Sequence, residues 1–246
     1  MPADRIEGAK LDHVAFGAHR ISDGLELLVG RLGGRPHHGG PGPGFRGAQW
    51  EFGGGGRIEI IEPDGPDGGF LHRFLAARGP GIHHVTFKVP DIYRAADAAR
   101  ARGYDVVGFN DAFEGWKEMF LHPGQAQGIV VQMAQTHPSI PDDSWGPAFP
   151  FPRYEGPVAA PARLTGLRLS ARALDRARTQ WEGLLGGKCT REDDALVFHW
   201  NESPLRISVE ENATRSEGPL HIEIARAGAG PIDVVDSRLN ARVLAV

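Results

Sequence analysis

Four segments with the alternating pattern of β-strands each carry one polar side chain where a packed strand usually places an apolar one. They are His13 in LDHVAFG, Glu59 in RIEIIEP, His84 in GIHHVTFKV and Gln132 in GIVVQMAQ. Two imidazoles, a carboxylate and a carboxamide can together bind a divalent metal ion, and burying them without a partner would be costly. One His and one Glu or Gln fall in each half of the first 136 residues. The sequence therefore predicts one metal site built from a duplicated unit.

The neighbours of these residues favour an open face of a sheet. Residues two apart in a strand point the same way, so His13 shares its face with Ala15 and His84 with Thr86. Both neighbours are small and leave room for a ligand. The other histidines considered fall in loops, on a connecting helix or on the opposite strand face, and we do not expect them to bind metal: His37, His38, His72, His83, His122 and His137.

The elements that position these residues form repeated units of a strand, a helix and further strands. In the first unit, LDHVAFG precedes a helix, GLELLVGRL, capped by Ser22 or Asp23. A Gly/Pro-rich loop, HHGGPGPG, and a hairpin of AQWEF and RIEIIEP follow. A connecting helix, GGFLHRFLAAR, leads to the second unit. There, IHHVTFKV precedes a helix capped by Asp91 and ended by Gly103, and then YDVVGF, KEMFLH and GIVVQMAQ.

The second half of the chain repeats this order after a break. Residues 137–162 contain seven prolines and predict a linker whose aromatic residues pack on a domain surface. LTGLRLS, the helix ALDRARTQWEGLL, ALVFHW and LRISVEE make a third unit. A fourth begins with PLHIEIA and a predicted helix, IDVVDSRLNARVLA, where the sequence stops before its remaining strands.

Composition limits the classes of function. The 246 residues have a formal net charge of -4, a pI near 6.3 and 41% hydrophobic residues, which predicts a folded core without a general attraction to nucleic acid or anionic membranes. No apolar run reaches the roughly 18 residues of a membrane span, and the start of the chain lacks the apolar core of a signal peptide. The one cysteine, Cys189, favours a reducing, cytoplasmic location.

The quoted stretches, with GPGIHHVTFKVPDI and FLHPGQAQGIVVQ the most specific, resemble the vicinal oxygen chelate superfamily, also called the glyoxalase/bleomycin resistance/dioxygenase group. Residues 9–136 are most similar to methylmalonyl-CoA epimerase and its relatives. The resemblance implies an α+β fold of paired βαβββ modules forming a cup-shaped mixed sheet around one metal. It places the ligands on His13, Glu59, His84 and Gln132. Epimerases of this type usually carry Gln at the second position and Glu at the fourth, the reverse of the order here.

Residues 163–246 resemble the same module more weakly and are predicted to be a degenerate, incomplete module pair. Gly166 stands at the position of His13, Ser208 at that of Glu59, and His221 at that of His84. One remaining ligand cannot hold a metal firmly. We therefore predict a metal-binding domain over 9–136, a linker over 137–162 and a structural module over 163–246.

The expected reaction is that of a metal-dependent isomerase, epimerase or lyase, in which Lewis acidity stabilises an enolate or enediolate of a small carbonyl substrate with vicinal oxygens. Gln132 cannot act as a base, which leaves Glu59, Glu51 and Glu118 as candidates for proton removal. The mixed N/O donor set does not choose among Zn, Ni, Co, Mn and Fe(II). An Fe(II)-dependent dioxygenase and a non-catalytic binding or resistance protein are the alternatives. The partner is a small molecule, and a homodimer is compatible with the sequence.

Overall fold

The computed structural model describes residues 4–137, 149–226 and 233–245. The first half of the chain contributes eight strands, and each predicted ligand lies on one of them. These strands are β1 (Lys10–Gly17), β2 (Arg35–Gly42), β3 (Phe45–Glu51), β4 (Arg57–Pro63), β5 (Gly81–Lys88), β6 (Val106–Asn110), β7 (Trp116–Leu121) and β8 (Val130–Thr136).

The second half contributes seven strands in the described residues. They are β9 (Arg163–Ala171), β10 (Lys188–Glu192), β11 (Ala195–His199), β12 (Arg206–Glu211), β13 (Gly218–Ala225), β14 (Asp233–Asp236) and β15 (Ala241–Ala245).

The helices are short. In the described residues the α-helices are α1 (Phe70–Arg78), which connects β4 to β5, α2 (Ile92–Ala101), which follows β5, and α3 (Leu174–Ala177), which follows β9. Asp91 caps α2, because its side chain accepts hydrogen bonds from the backbone amides of Tyr93 and Arg94. Gly103 follows the helix with a φ of +80°. Both features confirm the sequence prediction. In the part of the chain that the structure describes, no helix has the length and apolar character needed to cross a bilayer.

Two other helical segments depart from the regular α-helix. The first is a 3₁₀ turn, Ile21–Gly24, followed by a π-helical stretch, Glu26–Arg31. The helix begins at Ile21, so the predicted cap is wrong: Asp23 lies inside the first turn and accepts a 3.0 Å hydrogen bond from the amide of Arg20. A second π-helical stretch, Arg178–Leu184, continues α3 directly.

The strands form two mixed sheets, one in each half of the chain. The strand order is β2-β3-β4-β1-β5-β8-β7-β6 in the first and β10-β11-β12-β9-β13-β15-β14 in the second. The parallel pairs, β1 with β4 and β5 with β8, give each module the βαβββ arrangement. The predicted α+β class with paired βαβββ modules and curled, mixed sheets is confirmed.

Two predictions of local structure are wrong. The Gly/Pro-rich HHGGPGPG segment is not a loop but most of β2, which pairs with β3 along its length. Glycine makes this pairing workable, because a Cβ at Gly39 would lie 2.5 Å from the ring of Phe149. The C-terminal segment is not a helix, since its described part forms β14 and β15. Asp236 builds the turn between them by accepting bonds from the amides of Arg238 and Leu239, and Arg242 pairs with Asp233 across the strands. The fourth module therefore does have further strands.

Contacts divide the chain into two compact units, each drawing on both halves of the sequence. Unit 1 contains Met1–Asp12, His84–Ile140 and Gly166–Leu220. Its core includes Phe87, whose ring centroid lies 4.9 Å from that of Trp200 and 6.1 Å from that of Trp181. These three aromatic side chains bury the face of β5 that lies opposite His84.

Unit 2 contains His13–His83, Pro141–Thr165 and His221–Val246. Within it, Phe151 packs edge-on against Trp50 at 5.6 Å, and the hydroxyl of Tyr154 donates a 2.6 Å hydrogen bond to Glu26. These contacts agree with the expectation that aromatic residues of the proline-rich segment pack on a domain surface. Trp145 lies outside the described residues. The domain boundaries at 136 and 163 stay a prediction.

Candidate metal centre

His13 and Glu59 lie side by side because β1 and β4 are parallel neighbours. Ala15 pairs with Glu59 and His13 with Arg57, so the polar side chains of the two strands project from one face. His13 Nε2 lies 3.4 Å from Glu59 Oε2, and the side chains are only 2% and 15% exposed. Gln49, opposite Glu59 on β3, donates a 3.4 Å hydrogen bond to Oε1 of that carboxylate. Gln49 therefore orients Glu59, a role that the sequence interpretation missed although the hairpin register contains it.

Small residues leave space around this pair. Ala15 is fully buried beside it, and a Cβ at Gly47 would lie 2.9 Å from Glu59 Oε1. A larger side chain at Gly47 would therefore press on the carboxylate. Val14 and Phe16, on the opposite face of β1, are fully buried in the core.

His84 completes a cluster of three ligand-type residues. One ligand-type atom from each of His13, Glu59 and His84 lies within 4.8 Å of the other two. Both imidazoles are nearly fully buried, at 2% and 5% exposure. Two imidazoles and a carboxylate form a donor set that suits Zn, Co, Ni or Fe(II), and three protein ligands leave coordination positions open. The cluster could therefore hold a metal ion, as predicted.

The side chain of Gln132 is held by two neighbours. It pairs with Thr86 of β5, whose hydroxyl donates a 2.6 Å hydrogen bond to Gln132 Oε1. Gln132 Nε2 donates a 2.7 Å hydrogen bond to Glu118 Oε2. Thr86, fully buried, therefore does more than leave room for a ligand, which the alternation of the strand alone did not indicate. A metal-ligand role for Gln132 stays a prediction.

Glu118 is the second carboxylate on this side of the sheet. It pairs with Ala134, which shares a face with Gln132, and its Oε2 also accepts a 2.8 Å hydrogen bond from Trp116 Nε1. The ammonium group of Lys88 lies 3.6 Å from the centroid of the Trp116 ring, a cation–π contact. Trp116 thus lines the polar face, while Trp50 is 1% exposed and belongs to the core.

Glu51, the third candidate base, stands at the rim. Its side chain is 48% exposed and lies 3.9 Å from His37, and it pairs with Arg57 at the end of the hairpin. The structure brings Glu59 into the ligand cluster, but it does not bring Glu51 there.

His83, next to His84 in sequence, points away from the ligand face as predicted. Its ring packs at 4.7 Å from Phe74 and 5.7 Å from Phe70. Burial lowers the pKa of His83 to about 4, although the charge of Glu59 acts in the opposite direction. His83 is therefore a partly buried residue that packs against aromatic rings and is neutral near pH 7.

Among the described residues of the second sheet, the corresponding positions hold no such cluster. In the same parallel register, Gly166 pairs with Arg206 and Arg168 with Ser208. Arg168 donates hydrogen bonds of 3.0 Å to Glu210 and 2.6 Å to Asp194, so an ion pair fills this face. These contacts agree with the prediction that the second half lacks a ligand set.

Comparison with known proteins points to one superfamily. A family model described as the glyoxalase/bleomycin resistance protein/dioxygenase superfamily matches residues 12–120. A curated ethylmalonyl-CoA/methylmalonyl-CoA epimerase of Cereibacter sphaeroides is 34% identical over 85 residues, which span 32% of this chain and 61% of that protein. The chain thus covers less than two thirds of this relative.

Solved structures with similar folds are of two kinds. A methylmalonyl-CoA epimerase from Mycobacterium tuberculosis is 24% identical, with a TM-score of 0.48 over 52% of this chain and 89% of that one. A hypothetical protein from Staphylococcus aureus is 12% identical but has a TM-score of 0.65 over 97% of this chain and 99% of its own. The similarity to the Staphylococcus aureus protein supports the fold over nearly the whole chain and nothing beyond the fold.

Proposed function

We propose that this protein, whose residues 12–120 match the model of the glyoxalase/bleomycin resistance protein/dioxygenase superfamily, is a metal-dependent isomerase, epimerase or lyase acting on a small carbonyl substrate. One observation carries the proposal: the ligand-type atoms of His13, Glu59 and His84 lie within 4.8 Å of one another. Gln132 is the fourth proposed ligand, and its amide lies on the same face of the sheet as His84.

The chemistry follows from the donor set. A divalent ion held by these residues would polarise a carbonyl oxygen and stabilise the charge of an enolate. His13 and His84 would bind such an ion through neutral imidazole nitrogens, and the Glu59 carboxylate would reduce the net charge of the site by one. A carboxylate on the same face would take the proton from the carbon next to the carbonyl. Glu59, Glu51 and Glu118 are the candidate carboxylates.

The similarity to an ethylmalonyl-CoA/methylmalonyl-CoA epimerase supports a choice of substrate class. Thioesters of 2-substituted malonates have two oxygens that can chelate one ion and an acidic C–H between two carbonyl groups. We propose acyl-CoA thioesters of this kind as the first substrates to test.

The test is exchange of the 2-proton of methylmalonyl-CoA and ethylmalonyl-CoA in deuterated water. Protein freed of metal by a chelator and then loaded with Zn, Co, Ni or Mn should catalyse the exchange, and metal-free protein should not. A metal-loaded protein that exchanges neither substrate would overturn the proposed reaction.

A second candidate is an Fe(II)-dependent dioxygenase. The cluster favours it in one respect, because two histidines and one carboxylate with open positions are the usual iron site of non-haem oxygenases. Anaerobic loading with Fe(II), followed by oxygen-electrode measurements with catechol-type substrates, separates the two. Oxygen consumption together with an absence of thioester exchange would favour the dioxygenase.

A further inference from the structure

We infer, building on the proposed function, that Glu118 is the carboxylate that takes and returns the substrate proton, and that Gln132 and Trp116 position it. Its face, its hydrogen bonds and the placement of the other candidate carboxylates all point to Glu118.

Glu118 stands on the face that carries His84. Directly paired residues of neighbouring strands share a face, as do residues two apart in one strand. Glu118 pairs with Ala134, two residues from Gln132, and Gln132 pairs with Thr86, two residues from His84. The backbone of Glu118 lies two strands from β5, roughly 10 Å across the sheet. Its hydrogen bond to Gln132 shows that the carboxylate reaches the side chain of the neighbouring strand β8, and Gln132 in turn contacts Thr86 of β5.

The hydrogen bonds of Glu118 hold one oxygen and leave the other for substrate. Gln132 Nε2 at 2.7 Å and Trp116 Nε1 at 2.8 Å both donate to Oε2. Within the described residues, Oε1 accepts no hydrogen bond. Two donors on one oxygen stabilise the ionised carboxylate and fix its plane, which is the arrangement that a proton acceptor at a bound substrate needs.

Gln132 can hold Glu118 in this way because its own amide is fixed. The hydroxyl of Thr86 donates to Oε1 of Gln132, so Nε2 must face Glu118. The hydrogen bonds from Thr86 to Gln132 and from Gln132 to Glu118 therefore connect β5, β8 and β7, and they require one orientation of the Gln132 amide. An amide at position 132 cannot take up a proton, but it can place a carboxylate that does.

The other two carboxylates are less suited to this task. Glu59 belongs to the ligand cluster and lies 3.4 Å from His13, so proton removal would compete with metal binding. Glu51 is 48% exposed beside His37 at the rim of the hairpin. Glu118 is half-buried and lies outside the cluster of His13, Glu59 and His84. Two donors hold it, and one of them is the proposed fourth ligand, Gln132.

The proposed step balances without another reactant. The C–H bond next to the carbonyl breaks, its proton passes to Oε1 of Glu118, and the electron pair moves into the enolate with its charge on the carbonyl oxygen. Return of a proton to that carbon reverses the step. Exchange of the Glu118 proton with solvent between the two events introduces deuterium, so wash-in measures this step directly.

The test compares Glu118→Gln with Glu114→Gln, a matched charge removal at a 72% exposed side chain of the preceding turn. We expect Glu118→Gln to keep the metal content and melting temperature of the unmodified protein and to lose deuterium exchange by about 10²- to 10⁴-fold. Glu114→Gln should exchange at the unmodified rate. Metal content is read by mass spectrometry, independently of activity.

Three results are distinguishable. Loss of exchange with metal retained supports Glu118 as the base. Exchange retained in Glu118→Gln, or lost instead in Glu51→Gln, overturns the assignment and leaves the proposed function standing. A metal-loaded unmodified protein without exchange overturns the proposed function and the assignment of its base together.

The positioning role has its own readout. Trp116→Phe keeps a ring beside Lys88 but removes one donor to Glu118, so kcat should fall roughly tenfold with KM unchanged. In a Glu118→Gln background the same substitution should cost nothing further. An unchanged kcat, or full additivity in the double variant, would overturn the positioning role.

Discussion

Equivalent strands of the two sheets pair in the same register, but the residues at equivalent positions differ in charge. In both sheets, the first strand of a module pairs in parallel with the fourth strand of the same module, and the compared positions have the same register. The pairs to compare are His13 with Gly166, Ala15 with Arg168, and Glu59 with Ser208. The first sheet places a carboxylate beside an imidazole, whereas the second places an arginine between two carboxylates.

Space and charge balance distinguish a face that could bind a metal from a face on which an arginine pairs with two carboxylates. A Cβ at Gly166 would lie 2.2 Å from the carbonyl oxygen of Arg206, so no imidazole fits there. Arg168 occupies the place of the small Ala15, and Glu210 and Asp194 neutralise its charge. A metal site thus needs donors that the protein does not neutralise and small neighbours that leave room. The fold supplies the register for both outcomes.

The difference between the two sheets is tested most strongly by removing one imidazole from each half of the chain. His13→Ala or His84→Ala should lower metal affinity by at least about 100-fold, because losing a ligand costs more than losing an outer-shell partner. His221→Ala, at the position equivalent to His84, should leave affinity unchanged. Competition with a chromophoric chelator measures all three. Equal losses in His84→Ala and His221→Ala would contradict the account.

The next largest expected effect is on the pH dependence of stability. It concerns the residue that directly precedes His84 in the first half and His221 in the second. Folded His83 stays neutral down to about pH 4, while in the unfolded chain it takes up a proton near pH 6.5. Its contribution to stability is complete above pH 6.5 and is lost as the pH falls toward 4, on the order of 3 kcal/mol in all. Leu220 stands at this position in the second half. His83→Leu should remove this part of the pH dependence in urea unfolding of chelator-treated protein, and identical pH profiles would refute the burial effect.

A smaller effect tests the ion pair of the second sheet. Arg168→Met should lower the free energy of unfolding by roughly 1–3 kcal/mol, because it leaves the part-buried Glu210 without its arginine. Arg242→Met, which breaks a pair whose side chains are half exposed, should cost less stability than Arg168→Met. Neither should change metal content. Chemical denaturation gives both values, and metal loss in Arg168→Met would argue against the division between the sheets.

The smallest expected effect is that of the outer-shell amide in the first sheet. Gln49→Met removes the hydrogen bond to Glu59 and should weaken metal binding by about tenfold. Val197 holds the equivalent position and faces Ser208, so that position carries no polar support. Chelator competition, with a melting curve to check folding, measures the change. Unaltered affinity would remove Gln49 from the site.

The sequence was most informative where side chains alternate along strands. His13, Glu59 and His84 came together because a period of two fixes the face of a strand, and duplication fixes which strands match. The base was harder to predict. The orientation of Glu118 depends on hydrogen bonds from Gln132 and Trp116 on two different strands, and no local pattern encodes such contacts.

Failures of local prediction have a common cause in tertiary pairing. HHGGPGPG has the composition of a loop, yet it forms β2 because β3 offers a ladder and Phe149 lies against Gly39. The C-terminal segment has a pattern that fits a helix, yet the turn at Asp236 folds it into two strands. In each case the pairing partner outweighed the intrinsic preference of the segment.

The most direct test of the central claim is anomalous diffraction from crystals of protein loaded with one equivalent of Zn or Co. The account predicts one peak per chain, bonded to His13, Glu59 and His84 at about 2.0–2.2 Å. A chain whose peak lies instead at His221, or that shows no peak at the first-sheet cluster at full loading, would contradict it.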